Sequence, residues 1–295
     1  MTTTTAPAVR ERTRAKSRVL LEALPYIREH AGKVVVVKLG GAAMDDPSLA
    51  ASFAEDVSLL RLVGMRPVVL HGGGPQVSEL SERLGLTTEF RGGLRVTDAD
   101  TLRVAKMVLV GDVNKQIVSA LNRAGTRAVG LCGDDGDLLL ASKHAPNGDD
   151  LGFVGEITEI NTALLDHLME MAVPVIASIA TDGAGQSYNV NADPAASAVA
   201  VALGAAKLVM LTDVPGVLVD GEQIAELTVS EADDLIVRGE AHGGMGPKLR
   251  AAADAVRGGV ARAHIIDGRI EHSLVLELFT PEGIGTMVVP DGGPS

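Results

Sequence analysis

Six short apolar runs divide this chain, at residues 34–39, 67–70, 128–131, 174–179, 207–211 and 264–266. They lack the alternation of a half-exposed sheet, so each reads as a strand buried on both faces. Between most of them lie longer stretches with apolar residues at helical spacing, at 48–63, 75–84, 98–109, 113–124, 162–171 and 195–203. Strand and helix in alternation predict an α/β fold with a largely parallel central sheet covered by helices. Its crossovers are expected to be right-handed. Residues 91–97 and 134–156 break the alternation with short Gly- and Asp-rich pieces, read as hairpins at a sheet rim. Residues 217–224 predict a third hairpin, turning at Asp220-Gly221.

The N-terminal stretch differs. Residues 1–17 are polar, with Arg10, Arg12, Arg14 and Lys16 at every second position, the pattern of a solvated tail. From Arg18 on, Val19, Leu20, Leu21, Leu24 and Ile27 make an apolar helical stripe, and Pro25 within it predicts a kinked helix. Composition does not say what that stripe meets. No internal repeat is present. A division is placed near residue 205, although no Pro/Ser-rich linker marks it.

Length and composition narrow the class. At 295 residues the chain holds about two domains' worth of sequence, at roughly 150 residues each. Hydrophobic residues make up 46%; with aromatics at 2% and no Trp, the core must be built of Val, Leu, Ile and Ala. Lys and Arg total 26 against 38 Asp and Glu, a net charge of −12. Such a surface repels nucleic acid and anionic membranes, so neither is an expected partner. An anionic substrate would need local cations to hold it. The single cysteine, Cys132, rules out an intramolecular disulfide, fits a reducing compartment and is expected to be a buried, inert thiol. No segment reaches the ~18–20 apolar residues of a membrane span, and the start lacks the charged and apolar regions of a secretory signal. A soluble, cytoplasmic protein is expected.

Against that acidic background, two lysines tied to glycine-rich turns stand out. Lys38 closes the first apolar run and enters Leu39-Gly40-Gly41; Lys248 closes Gly243-Gly244-Met245-Gly246-Pro247 ahead of a helical pattern. Between them, His71-Gly72-Gly73-Gly74-Pro75 follows the second run. Glycines at strand-to-helix turns let backbone N–H groups close on an anion at a helix N-terminus. Strand carboxyl ends are where open α/β sheets gather ligands. Alternatives stay open residue by residue: a strand-end lysine reaching solvent, a plain tight turn, a flexible loop, a structural His71. Arg91 and Arg95 flank Gly92-Gly93, where an arginine can clamp a carboxylate at two points or simply be solvated. Asn189-Val190-Asn191-Ala192-Asp193-Pro194 suits an ordinary helix start, or an Asp holding two phosphate lysines. There is no P-loop, no complete dinucleotide fingerprint between a strand and a helix, and no His/Cys cluster with metal-ligand spacing. The residues point to phosphoryl transfer without a Walker loop.

At these motifs the chain resembles the amino-acid kinase superfamily and, within it, the N-acetyl-L-glutamate kinase family. Lys38-Leu-Gly-Gly, His71-Gly-Gly-Gly-Pro, Gly93-Leu-Arg-Val-Thr97, Asn189-Val-Asn-Ala-Asp193 and Gly244-Met-Gly-Pro-Lys248 occur in that family's order, over nearly the whole chain. The resemblance implies a three-layer αβα sandwich, with residues 31–204 as amino-acid lobe and 205–295 as nucleotide lobe. It implies that Lys38 and Lys248 stabilise the transferring phosphoryl group and that Asp193 orients them. Gly73, Gly74, Arg95 and Asn189 match positions that bind N-acetylglutamate. Gly40, Gly41, Thr212, Asp213, Gly216, Gly244 and Met245 are expected along the nucleotide. The implied reaction forms an acyl phosphate from ATP and the γ-carboxylate, in arginine biosynthesis, with Mg²⁺ carried on the ATP phosphates and no protein metal site.

The N-terminal piece Glu22-Ala-Leu-Pro-Tyr-Ile27 resembles the extra helix of arginine-inhibited members, which build a hexamer as a trimer of dimers. Residues 1–30 are therefore read as tail and oligomerisation helix. Residues 272–280 and 283–286 resemble those members' arginine-binding region, which makes Tyr26, His272 and Glu277 candidate contacts for L-arginine as feedback inhibitor. Two rivals share the motifs: a sister kinase of glutamate, aspartate or aminoadipate derivatives, and a non-catalytic amino-acid sensor. Residues 93–96 and Asn189 favour the N-acetyl substrate; both lysines and Asp193 count against the sensor.

Overall fold

The first apolar run becomes β1 (Val34–Leu39), buried at every position, in parallel pairing with β2 (Arg66–His71) and β11 (Lys207–Thr212). The structure, a computed structural model, describes residues 21–44, 46–241, 244–280 and 283–292. The basic tail, residues 18–20, Gly243 and residues 281–282 lie outside the described residues. An eight-stranded sheet runs in the order β14 (Glu226–Thr228), β16 (Thr286–Val289), β15 (Arg262–Asp267), β11, β1, β2, β8 (Val173–Ala177), β5 (Ala128–Leu131). Every neighbouring pair is parallel except β15 and β16. The sheet is continuous across residue 205, since β11 sits beside β1.

Side chains alternate across the strands and create two cores. Val34, Val36, Val68, Leu70, Leu208 and Met210 face one layer; Val35, Val37, Leu39, Val69, Val209 and Leu211 face the other. The first layer holds α6 (Thr162–Met171), α7 (Ala192–Ala202), α8 (Val229–Val237) and α9 (Met245–Arg257). The second holds α2 (Pro47–Leu62), α3 (Gly74–Arg83), α4 (Ala99–Lys106), α5 (Asn114–Arg123) and α10 (Ser273–Phe279). The helix α1 (residues 21–30) packs Ala23, Tyr26 and Ile27 on this second core and is helical through Pro25. Each fully buried Val, Leu or Ile of the two cores stabilises the fold by about 1.5–3 kcal/mol. This is the three-layer αβα arrangement the resemblance implies.

Helix ends follow local chemistry. Asp46 caps α2 by accepting from Ser48 N at 2.7 Å, with Pro47 as the first helical residue. Thr228 and Glu231 close a reciprocal capping box on α8. Alanines on α7 and α9 let these two helices approach closely, which sets their N-termini side by side at the strand ends.

Three details differ from the pattern reading. The run 174–179 breaks at Ser178: β8 stays in the main sheet, whereas β9 (Ile179–Thr181) joins β10 (Ser187–Val190), β6 (Leu139–Lys143) and β7 (Val154–Ile160) in a small closed barrel. The hairpin expected at a sheet rim over 134–156 is thus β6–β7 of that barrel. The periodic stretches 98–109 and 113–124 are joined, because α4 continues through a π-helical turn, Met107–Val113, directly into α5. The other two hairpins form as expected. β3 (Phe90–Arg91) pairs with β4 (Leu94–Arg95), and β12 (Leu218–Val219) with β13 (Glu222–Gln223). The latter turns through Asp220 and Gly221, both at positive φ. Among the described residues no helix is long and apolar enough to cross a membrane.

Candidate active site

Lys38 shares the face of Val34 and Val36 on β1, so its side chain rises toward the α7–α9 layer. There it meets Asp193, in the first turn of α7, with Nζ 2.9 Å from Oδ1. Lys248, in the second turn of α9, donates to Oδ2 of the same carboxylate at 3.2 Å. Lys38 is 7% and Asp193 4% exposed. Burial alone would raise the Asp193 pKa, but the two ammonium groups outweigh it and hold the carboxyl below its ordinary range. Asn191 caps α7 by accepting from Asp193 N at 3.0 Å, which fixes the residue that bridges the lysines.

Lys38 lies on the wall of a cavity of about 270 Å³ that also exposes Gly40, Gly41, Gly72, Gly73, Gly74, Arg95 and Asn189. Gly73, at φ +153, ends the β2 turn and starts α3. This backbone conformation demands glycine, and a Cβ there would also stand 2.6 Å from Leu109 Cδ2 and force that side chain to move. The first amides of α3 have no acceptor within the helix and are available to an anion. Arg95, on the β3–β4 hairpin, is 8% exposed. Its Nη2 donates to Gly74 O and Ser78 Oγ, both at 2.8 Å, and its guanidinium stacks over Phe90 with the centroid 4.7 Å away. Nη1 is buried with no hydrogen-bond partner, a cationic donor left for a ligand. Burial lowers the Arg95 pKa, yet the guanidinium stays charged at any physiological pH. Asn189, on β10, donates to Thr97 Oγ1 at 3.3 Å.

Of the residues expected along a nucleotide, Gly40 and Gly41 line this cavity, whereas Thr212, Asp213, Gly216, Gly244 and Met245 do not. Thr212 ends β11. Asp213 follows it, and its carboxylate occupies the space a Cβ on Gly41 would need. A Cβ on Gly216 would stand 2.6 Å from Thr286 Oγ1. Gly244 is the left-handed cap of α9 and Met245 its first, buried residue. Among the described residues no group of three or more His, Cys, Asp or Glu side chains forms a metal site.

Tyr26, His272 and Glu277 do not line the cavity. Tyr26 is half-buried on the second core. His272 anchors the start of α10: its N–H donates to Ser52 Oγ at 2.6 Å and its Nδ1 to Asp56 Oδ1 at 2.7 Å. Glu277 is buried, 2.6 Å from His264 Nδ1, and accepts from the amides of Ile284 and Gly285 at 2.7 and 3.1 Å. Its carboxylate sits below its ordinary pKa because the bonds from His264 and these amides outweigh burial. The sequence reading missed Asp56 and Asn114, whose partners His272 and His71 are far away in the chain, and His264, whose partner Glu277 lies thirteen residues on, across the strand-to-helix connection.

The profile of the amino acid kinase family matches residues 33–267. The chain belongs to the amino acid kinase family. Within it, this amino acid kinase groups with proteins described as acetylglutamate kinases. It is 48% identical over 294 residues to that of Nostoc punctiforme, covering 98% of each chain. It is 50% identical to that of Symbiobacterium thermophilum, covering 93% of this chain and 97% of the relative. Among solved structures it resembles an N-acetylglutamate synthase from Neisseria gonorrhoeae. The complex of that synthase with coenzyme A and N-acetyl-glutamate gives a TM-score of 0.85 at 30% identity, covering 94% of this chain. Its complex with coenzyme A and L-arginine gives 0.81 at 28%, covering 93%. This amino acid kinase spans 64–65% of the synthase's length.

Proposed function

We propose that this chain is an acetylglutamate kinase that transfers the γ-phosphoryl group of ATP to the γ-carboxylate of N-acetyl-L-glutamate. A carboxylate oxygen attacks the γ-phosphorus, the bond to the β–γ bridging oxygen breaks, and ADP leaves with that electron pair. The products are N-acetyl-L-glutamyl 5-phosphate and ADP, a step of arginine biosynthesis. The nucleophile is already ionised at neutral pH, so no general base is required, and catalysis reduces to alignment and charge stabilisation.

The observation that carries this reading is the pair Lys38 and Lys248 held on the single buried carboxylate of Asp193. Fixed ammonium groups of this kind suit the charge that spreads over a transferring phosphoryl group. Arg95, through its free Nη1, is assigned to the α-carboxylate of the substrate, Asn189 to its acyl end, and the Gly73 and Gly74 amides to the reacting oxygens. Residues 31–204 form the amino-acid lobe and 205–295 the nucleotide lobe, with Gly40, Gly41, Thr212, Asp213, Gly216, Gly244 and Met245 along ATP. Mg²⁺ would travel on the ATP phosphates and neutralise their charge; no side chain is assigned to it.

Regulation belongs to the same reading. L-arginine is the inhibitor, Tyr26, His272 and Glu277 its candidate contacts, and the assembly a hexamer paired through α1. A structural relative solved in complex with L-arginine supports arginine as a ligand. A cytoplasmic location fits an ATP-dependent biosynthetic enzyme.

The decisive assay traps acyl phosphate as hydroxamate in the presence of ATP and Mg²⁺. N-acetylglutamate, glutamate, aspartate and α-aminoadipate are compared, with and without arginine. Selective turnover of N-acetylglutamate is expected. Turnover of another amino acid moves the protein to a sister kinase, and binding without turnover makes it a sensor.

A further inference from the structure

His71 is fully buried and points away from the Lys38 face, because it alternates with Leu70 and shares the side of Val69. On that side it meets Asn114. The Asn114 amide donates to Val175 O at 2.9 Å and to His71 Nε2 at 3.1 Å, and its Oδ1 accepts from Lys115 at 3.1 Å. Asn114 is itself wholly buried, and its side chain fills the space a Cβ on Gly130 would take. The other ring nitrogen of His71, Nδ1, is 2.8 Å from Gly72 O. A carbonyl only accepts, so Nδ1 carries the proton and Nε2 is the acceptor for Asn114. The two bonds are compatible with one neutral tautomer and no other. Burial, which pushes the imidazole pKa down to about 4, keeps it neutral.

The consequence lies in the peptide that His71 grips. In a trans peptide the C=O and the following N–H point in opposite directions. Holding the Gly72 carbonyl toward the α5 layer therefore turns the Gly73 N–H the other way, toward the cavity that Gly72, Gly73 and Gly74 line. Glycines on both sides of this peptide give it no steric preference of their own, so its orientation must come from an outside contact. The π-helical turn Met107–Val113 supplies the matching geometry. It ends at Asn114, and its Leu109 and Val113 crowd the space beside Gly73.

We infer that His71 and Asn114 are positioning residues for the phosphoryl-transfer step: Asn114 fixes the Nδ1–H tautomer of His71, and that N–H locks the Gly72–Gly73 peptide with the Gly73 amide aimed into the site. The inference rests on the assignment of this cavity to N-acetylglutamate. Neither residue touches the substrate. A misaimed donor leaves substrate affinity nearly intact but removes stabilisation where charge develops, so the defect belongs in kcat.

The test combines kinetics with a tautomer measurement on the full-length enzyme. His71→Leu removes the donor and is expected to lower kcat about 10- to 100-fold, the range for misplaced catalytic groups, with the KM for ATP unchanged. His71→Asn keeps a donor near the Nδ1 position and should recover kcat to within about fivefold of wild type. Selective ¹⁵N labelling of the seven histidines, with His71→Asn assigning the resonance, should show a neutral Nδ1–H ring at pH 7. In Asn114→Ala the ring should become a mixture of tautomers and kcat should fall by an intermediate amount. An Nε2–H or doubly protonated His71 overturns the inference, as does wild-type kcat in folded His71→Leu. Where His71→Leu fails to fold, Asn114→Ala and the tautomer decide, and a single tautomer with unchanged kcat in Asn114→Ala refutes the coupling. A wild-type enzyme inert on N-acetylglutamate sinks the substrate reading and the positioning role with it; an active wild type with an indifferent His71 sinks only the latter.

Discussion

Lys38 and Lys248, drawn from opposite ends of the chain, bind the two oxygens of one buried carboxylate, that of Asp193. Two ammonium groups in such proximity repel one another, and the shared aspartate is what makes the arrangement stable. Replacing Lys38 or Lys248 by Ala is expected to lower kcat on the order of 10²–10³, as for lost electrostatic donors. Steady-state kinetics check this, and near-wild-type turnover in either variant removes that lysine from the mechanism. Asp193→Asn leaves both lysines unpaired; it should depress kcat far more than it raises either KM.

Arg95 makes a different kind of prediction. Its free Nη1 and its stacking on Phe90 both depend on the planar guanidinium. Arg95→Lys is therefore expected to behave almost as badly as Arg95→Ala. Both should raise the KM for N-acetylglutamate about 10- to 100-fold, the cost of losing a charge-assisted contact of roughly 1.5–3 kcal/mol. Saturation curves decide, and a defect in ATP affinity instead would move Arg95 out of the amino-acid site.

The contact between His272 and Asp56 should be visible in the pH dependence of stability. The hydrogen bond to Asp56 raises the His272 pKa, assisted by the charges of Asp56, Glu55 and Glu271. A folded-state pKa above the unfolded value means the stabilisation is fully present below about pH 6.5 and disappears as pH rises through the folded value. Melting of wild type and His272→Ala, compared from pH 5.5 to 8.5, should show a gap that is largest at the acid end. A gap that widens with pH contradicts the assignment.

Removing residues 1–28 tests the assembly. The truncated enzyme is expected to lose the hexamer and much of its arginine inhibition while keeping catalysis. Sizing by light scattering and inhibition curves give the answer; a truncated hexamer with unchanged inhibition excludes α1 from both roles.

The parts of this molecule that were legible share one property: their signal is local. Val34–Leu39 reads as a strand because a strand covered on both faces carries apolar side chains, here at every position but Lys38. The glycines of 72–74 and the Pro75 that follows mark a turn into a helix by residue type alone. Asp193 was readable as a possible partner of the lysines, though not that each would take one oxygen. The π-helical turn at Met107–Val113 left no trace, since π and α turns use the same apolar residues and differ only in register. Ser178 gave no warning that the strand changes sheets there. The short β14 and β16 are held by their pairing with each other and with β15 rather than by a pattern of their own. The contact of His71 with Asn114 joins segments that no short sequence window contains together.

The strand that carries Lys38 is made early and completed late. β1 is flanked on one side by β2, which follows it closely, and on the other by β11, which lies well over a hundred residues further on. As the chain leaves the ribosome, one rim of β1 stays unpaired through the synthesis of everything between, presenting an apolar, hydrogen-bond-hungry ladder to other chains. Closure of that gap joins the first half of the protein to the second. α9, which follows β11 in the chain, then brings Lys248 to the waiting aspartate. Pairing of β11 covers the open rim of β1 first, and the Lys38–Asp193–Lys248 cluster forms only once α9 has been made, so the chain gathers its charges after its first strand is sheltered.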